Sequence, residues 1–383
     1  MNRVACIILD SAGCGHAPDA AAYGDLGANT LGHLLERVDG LRLPNLAALG
    51  LDEVLGYHGR TPLRAGAAAA RLTAHAAGKD TTSGHWELMG YTLKEGLATF
   101  ERFPAEFVLE LEARGGVRFL GNEVASGTEI LTRLGEEHLR TARPILYTSA
   151  DSVLQLAAHE EVFGLQRLYD LCQTARGLLD ERRMRVGRVI ARPFLGDSAA
   201  NFQRTGNRHD FSCRPEATAL NRLQAAGVTV IGVGKIADIF AGSGISESYP
   251  APSNAAGMAE IARVWAQRRE SPHFLFANLV DFDALYGHRR DAPGYAQCLR
   301  DFDAWLGMFL LQVEPGDLLI LTADHGNDPY HPGTDHTREQ VPVLTLGLGR
   351  APVDGNFTDV ARWVEGYFAE RNRHPLPSHH GSN

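Results

Sequence analysis

Two stretches in the last third of the chain, DFDALYGH ending at His288 and TADHGND ending at Asp328, are followed by TDH ending at His336. Together they offer Asp283, His288, Asp324, His325 and His336, carboxylate and imidazole groups of the kind that bind divalent cations such as Mg, Mn or Zn. A single Asp-His dipeptide is usually a surface turn. A second carboxylate and imidazole in DFDALYGH, with His331 and His336 supplied by HPGTDH, point instead to a pair of ions about 3.5–4 Å apart, as phosphatases commonly build. A metalloenzyme is the leading expectation.

A second chemical element is GKDTTSGHWE, residues 78–87, where Lys79 and Asp80 precede the hydroxyls of Thr81, Thr82 and Ser83. The plain reading is a capped helix start, since Asp, Ser and Thr are the usual capping residues. The same geometry places a hydroxyl among free backbone N–H groups that favour phosphate oxygens. A threonine or serine alkoxide there could act as a nucleophile. Capping and catalysis are compatible.

For such residues to meet, strands must carry them. Short apolar runs predict buried strands over 4–9, 228–233, 273–280 and 318–322, with a fifth over 341–348. Between them the periodicity predicts helices over 254–269, with Met258, Ile261 and Trp265 on one face, and over 295–311, with Leu299, Phe302, Leu306 and Leu310. Alternating strands and helices imply an α/β domain with a largely parallel sheet. Asp10, Asp283 and Asp324 all fall at or just past a predicted strand's C-terminal end, where open α/β sheets place their ligands.

The 383 residues exceed what one core usually holds, so two domains are expected. Residues 100–214 read differently from the rest, with helices over 104–114 and 165–181 and short strands over 145–148 and 188–191. They are expected to form an inserted cap, leaving 1–99 and 215–383 as a discontinuous catalytic core. The Ala-rich stretch 65–70 stands out only as compositional bias. The tail HPLPSHHGSN is read as frayed, its histidines solvated rather than ligating.

A formal charge of -9 is too acidic to suggest a nucleic-acid or anionic-membrane surface on net charge alone, although local basic residues can still bind small anions. Five scattered cysteines without a CxxC pair indicate neither a disulfide framework nor a thiolate zinc site. The apolar run of MNRVACIILD is too short for a signal peptide or a membrane span, so a cytoplasmic location is expected. Oligomeric state is left open.

These segments, together with ILDSAGCGHAPDA, LGNEVASGTEI, YTSADSVLQLAAHE, RVIARPFLG, RTGNRHDFS and GKIADIFAGSGI, resemble phosphopentomutases, metal-dependent members of the alkaline phosphatase superfamily. The likeness spans nearly the whole chain, and DALYGHRRD and YTSADSV are closest to that one family. It implies an alkaline-phosphatase-like α/β core, its mainly parallel sheet flanked by helices, with an inserted smaller α+β cap domain. It further implies a nucleophilic Thr81 that carries a phosphoryl group, and two manganese ions. Asp283, His288 and His336 would hold one ion, and Asp10, Asp324 and His325 the other with an oxygen of Thr81 or its phosphate. Asp281, Asp328, His331 and Asp335 would then be supporting residues.

By the same resemblance Ser149, Asp151 and Val153 contact the sugar, while Arg188, Arg204 and Lys235 hold the distal phosphate. A turn or core role is the plain reading of the first three, and a solvated surface charge that of the basic residues. The implied reaction interconverts ribose 1-phosphate and ribose 5-phosphate, and the 2-deoxyribose pair, through a sugar bisphosphate, linking nucleoside catabolism to pentose phosphate metabolism. Glucose 1,6-bisphosphate or ribose 1,5-bisphosphate would prime Thr81. Three alternatives compete: a phosphate monoester hydrolase with the same metals and nucleophile, a cofactor-independent phosphoglycerate mutase, and a metal-stabilised binding protein without turnover. The second would be expected to use a serine nucleophile, and the third to show a substituted nucleophile or a broken ligand set.

Overall fold

The computed structural model describes residues 2–149, 152–267, 271–349 and 352–373; Asp151 and the tail beyond 373 lie outside them. The chain divides into two compact units, Met1–Glu95 with Pro215–Asn383, and Gly96–Arg214.

The first unit is built on an eight-stranded sheet. Its spatial order is Glu247–Tyr249, Thr229–Val233, His273–Leu279, Arg3–Leu9, Leu318–Thr322, Val341–Leu346, Ala67–Thr73 and Gly355–Asn356. The first five strands run parallel, as expected from the alternation of strands and helices. Val341–Leu346 is antiparallel to both its neighbours. Arg3–Leu9, His273–Leu279 and Leu318–Thr322 are buried along their whole lengths, which explains their largely apolar sequences.

The Ala-rich stretch proves to be a strand. Alanine has little β-preference, so propensity hides it; pairing with Val341–Leu346 imposes the extended conformation, Ala70 opposite Val343. The helix expected over 295–311 runs Ala292–Phe309. Asp291 accepts from Gly294 N and Pro293 occupies the first turn, start signals that the apolar periodicity does not register.

The second unit has a six-stranded sheet in the order Leu120–Val124, Ile145–Thr148, Val153–His159, Arg188–Leu195 and Gln203–Arg204, with His209–Ser212 also paired to Arg188–Leu195. Parallel and antiparallel pairs are mixed. Ala105–Gly115 and Leu165–Glu181 cover one face through Phe107, Leu111, Leu168, Leu171 and Leu178. Gly127–Thr141 packs on a smaller cluster with Ile130, Tyr147 and Phe194.

Candidate metal centre

The register of three adjacent parallel strands assembles the site. Leu9 lies opposite Leu279 and Ile8 opposite Thr322, so the chain leaves all three strands along one edge. Asp10 follows the first directly, Asp324 comes two residues after Thr322, and Asp283 sits in the helical turn Phe282–Gly287. Ser11 takes a left-handed φ of 72° that turns the chain just beyond Asp10, and its N–H donates to Asp324 Oδ1 at 3.1 Å.

Two groups of ligand atoms converge there. Asp10, Asp324 and His325 form one, with His325 Nε2 3.4 Å from an oxygen of each carboxylate. Asp283, His325 and His336 form the other, in which His336 Nε2 lies 3.4 Å from Asp283 Oδ2. His288 Nε2 reaches the same Asp283 oxygen at 3.2 Å. His325 therefore stands between the groups, its ring centroid 4.0 Å from that of His336.

Each carboxylate is steered by a neighbour. Asn278 Nδ2 donates to Asp10 Oδ2 at 2.9 Å and Asn327 Nδ2 to Asp283 Oδ1 at 2.7 Å. The Nδ1–H groups of His288 and His325 donate to the carbonyls of Thr334 and Gly326, leaving Nε2 free to bind, the usual way a ligating imidazole is oriented.

The electrostatics suit a cation. Burial and the charge of Asp324 push Asp10 up to about 7. Burial opposes the charge on His325, yet Asp324, Asp10 and Asp283 raise it to about 9. Burial likewise opposes ionised Asp283, but the close imidazoles of His288 and His336 carry it well below the usual carboxylate range. Asp10 Oδ1, Asp324 Oδ2 and His336 Nε2 are buried without a hydrogen-bond partner. Buried polar atoms are ordinarily paired, so three orphans converging with mixed O and N chemistry fit divalent cations.

Thr81 opens the helix Thr81–Leu88, its Oγ1 3.2 Å from His325 Nε2. The cap itself is made by its neighbours: Asp80 Oδ1 accepts from Ser83 N, and Ser83 Oγ donates to Asp80 Oδ2 at 2.8 Å. Ser83 is thus consumed by the cap and Thr81 Oγ1 lies against the site. Gly84 lets the helix approach, because a methyl group there would overlap the carbonyl of Asp324. His85 Nδ1–H donates to Thr81 O, and its Nε2 accepts from Asn278, joining this helix to the residue that steers Asp10.

His85, Asn278, Asn327 and Gly84 were not identified from the sequence. Asn278 left one signal, an amide inside an otherwise apolar strand. Asp281 caps a helix start by accepting from Asn254 N at 2.7 Å, and Asp328 accepts from Asn29 N and His33 Nδ1. His331 and Asp335 pair away from the ligand atoms: His331 Nε2 lies 3.6 Å from Asp25, and Asp335 3.4 Å from Lys79 Nζ.

Among the other expected contacts, Ser149 is half-buried just past Ile145–Thr148, and Val153 is buried at the start of its strand. Arg188 is exposed and 3.5 Å from Asp210, and Arg204 Nη2 donates to Tyr147 OH at 3.0 Å. Lys235 is exposed at the N-cap of Ile236–Ile239.

Residues 2–370 match the model of the metalloenzyme superfamily. A phosphopentomutase of Syntrophotalea carbinolica is 54% identical over 90% of this chain and 87% of its own length. One from Symbiobacterium thermophilum is 51% identical over 91% and 88%, and one from Anaeromyxobacter dehalogenans 50% identical over 97% and 96%.

Proposed function

The chain belongs to the phosphopentomutase family, isomerases within the metalloenzyme superfamily, and from that premise we propose the route its residues take. Its substrates are ribose 1-phosphate and ribose 5-phosphate, with the 2-deoxyribose pair, and Thr81 carries the phosphoryl group between them. The observation that carries this reading is Thr81 Oγ1, 3.2 Å from His325 Nε2 at a helix N-terminus, beside the unpartnered carboxylate oxygens of Asp10 and Asp324.

Asp283, His288 and His336 would hold one divalent cation and Asp10, Asp324 and His325 the other, manganese in both cases. When bound, the pair supplies positive charge that lowers the pKa of the Thr81 hydroxyl and neutralises the transferring phosphoryl group. The free N–H groups of the first helical turn add donors for its oxygens. In the forward half-reaction a sugar hydroxyl oxygen bonds to phosphorus as the bond to Thr81 Oγ1 breaks, and the hydroxyl proton passes, in net terms, to Thr81. The resulting sugar bisphosphate returns its other phosphoryl group to Thr81, so no phosphate is lost overall. A trace of glucose 1,6-bisphosphate or ribose 1,5-bisphosphate primes Thr81 at the outset.

Residues 100–214 are the proposed recognition segment, with Ser149, Asp151 and Val153 contacting the sugar and Arg188 and Arg204 contacting phosphate. Lys235 is the proposed phosphate contact of the other unit. Arginine suits this task because its guanidinium can bind a phosphate through two parallel hydrogen bonds. A cytoplasmic location is proposed from five cysteines that all remain free thiols. Among the described residues no helix is long and apolar enough to cross a membrane.

Phosphorus NMR of the manganese-loaded protein with ribose 5-phosphate and a trace of glucose 1,6-bisphosphate tests the route. Ribose 1-phosphate should accumulate with little free phosphate, and Thr81→Ala should abolish this while manganese still binds. Steady phosphate release would make the chain a hydrolase, and mutase activity in Thr81→Ala would remove the nucleophile assignment.

A further inference from the structure

One face of the sheet in the Gly96–Arg214 unit carries four arginines in two electrostatic settings. Arg188 and Arg208 both pair with Asp210, the latter through two hydrogen bonds of 2.7 and 2.6 Å. Arg192 and Arg204 are held by neutral groups instead: Arg192 Nε donates to Gln155 Oε1 at 3.0 Å, and Arg204 Nη2 to Tyr147 OH. The second pair therefore keeps its full charge for an anion, while Arg188 and Arg208 share a single carboxylate and keep one charge between them.

Arg204 is seated in an unusual way. Its guanidinium lies against Gly127, the first residue of the helix Gly127–Thr141, and a methyl group built on Gly127 would overlap both Nη2 and Cζ of Arg204. The backbone does not demand glycine here, because Gly127 is not among the positive-φ residues. Alanine would favour the helix. The cap does not demand it either, since Ser126 Oγ accepts from Glu129 N at 3.3 Å. What glycine uniquely provides is room for the guanidinium, directly over a helix N-terminus and within reach of Tyr147 OH.

We propose that Gly127 is a positioning residue: with Tyr147 it forms the seat that fixes Arg204 for phosphate binding. The inference rests on Arg204 being a phosphate contact. A methyl group at 127 would meet only the mobile end of a long side chain, so the fold survives by moving Arg204 aside. Substrate binding then suffers while the helix does not.

The test compares Gly127→Ala, Arg204→Ala and the double variant in the full-length manganese-loaded enzyme, reading KM and kcat for ribose 5-phosphate together with thermal melting. Gly127→Ala should raise KM roughly tenfold, the scale of one lost charge-assisted hydrogen bond, with kcat nearly unchanged and an unchanged or higher melting temperature. The double variant should be no worse than Arg204→Ala, because the two act through one guanidinium. A wild-type KM in Gly127→Ala beside a raised KM in Arg204→Ala overturns the inference alone, as does full additivity. A wild-type KM in Arg204→Ala removes the phosphate reading itself, and the inference with it. Tyr147→Phe, which adds no bulk, should shift KM in the same direction by a smaller factor. Should Gly127→Ala not fold, an unchanged KM in Tyr147→Phe overturns the seat.

Discussion

The strand Arg3–Leu9 buries charge at both of its ends, in opposite ways. At the N-terminal end Arg3 grips Asp317 through Nε–Oδ1 at 2.9 Å and Nη2–Oδ2 at 2.5 Å, and its Nη1 donates to Trp265 O. Opposite charges meet, and the pair is closed. At the C-terminal end Asp10 and Asp324 bring two carboxylates together around His325, each with a buried oxygen left without a hydrogen bond. Buried charge alone therefore says little about function. Clustered carboxylates, held in place by Asn278 and Ser11 with oxygens left without a hydrogen bond, mark where a cation would belong.

The sharpest way to break this contrast is to neutralise one residue at each end. Asp10→Asn should abolish activity and cut the thermal stabilisation by manganese to the share of the ion at Asp283. In a chelator above about pH 7 it should leave stability unchanged or higher: the raised pKa means that the ionised carboxylate is the unfavourable form in the fold, and it is ionised there. Melting curves with manganese and with chelator check both statements, and loss of stability in chelator would contradict them. Asp317→Ala should do the reverse, costing about 3–5 kcal/mol by stranding a buried guanidinium while activity per folded molecule persists. Urea unfolding beside a normalised assay measures that.

A smaller effect separates the ends by pH. Ligands must lose their protons to bind a metal, so manganese affinity should fall as pH drops through about 9, where His325 takes a proton, and further through about 7, where Asp10 does. Calorimetric titration in buffers of different ionisation enthalpy should show proton release on binding; affinity independent of pH would speak against these ligands. The smallest effect belongs to Asn278→Ala, which removes a steering hydrogen bond and should weaken manganese binding by about tenfold.

The candidate metal residues were legible because open α/β sheets gather ligands at strand ends: Asp10 and Asp324 follow apolar runs that read as buried strands. Choosing among Thr81, Thr82 and Ser83 was beyond composition. It took the family resemblance, and the structure adds that Ser83 is bound into the cap. The supporting residues were illegible for a physical reason. His85, Asn278 and Gly84 matter only through partners far away in the chain, as Gly84 does through the carbonyl of Asp324. Ala67–Thr73 was missed for a related reason, its extended form being imposed by Val341–Leu346 rather than by its own alanines.

The central claim, that the converging carboxylates and imidazoles at this strand edge hold two ions, is tested most directly by anomalous diffraction at the manganese edge from crystals of the loaded protein. The expected map shows two peaks about 3.5–4 Å apart, one against Asp10, Asp324 and His325 and the other against Asp283, His288 and His336. A single peak, or peaks away from these residues, would contradict it.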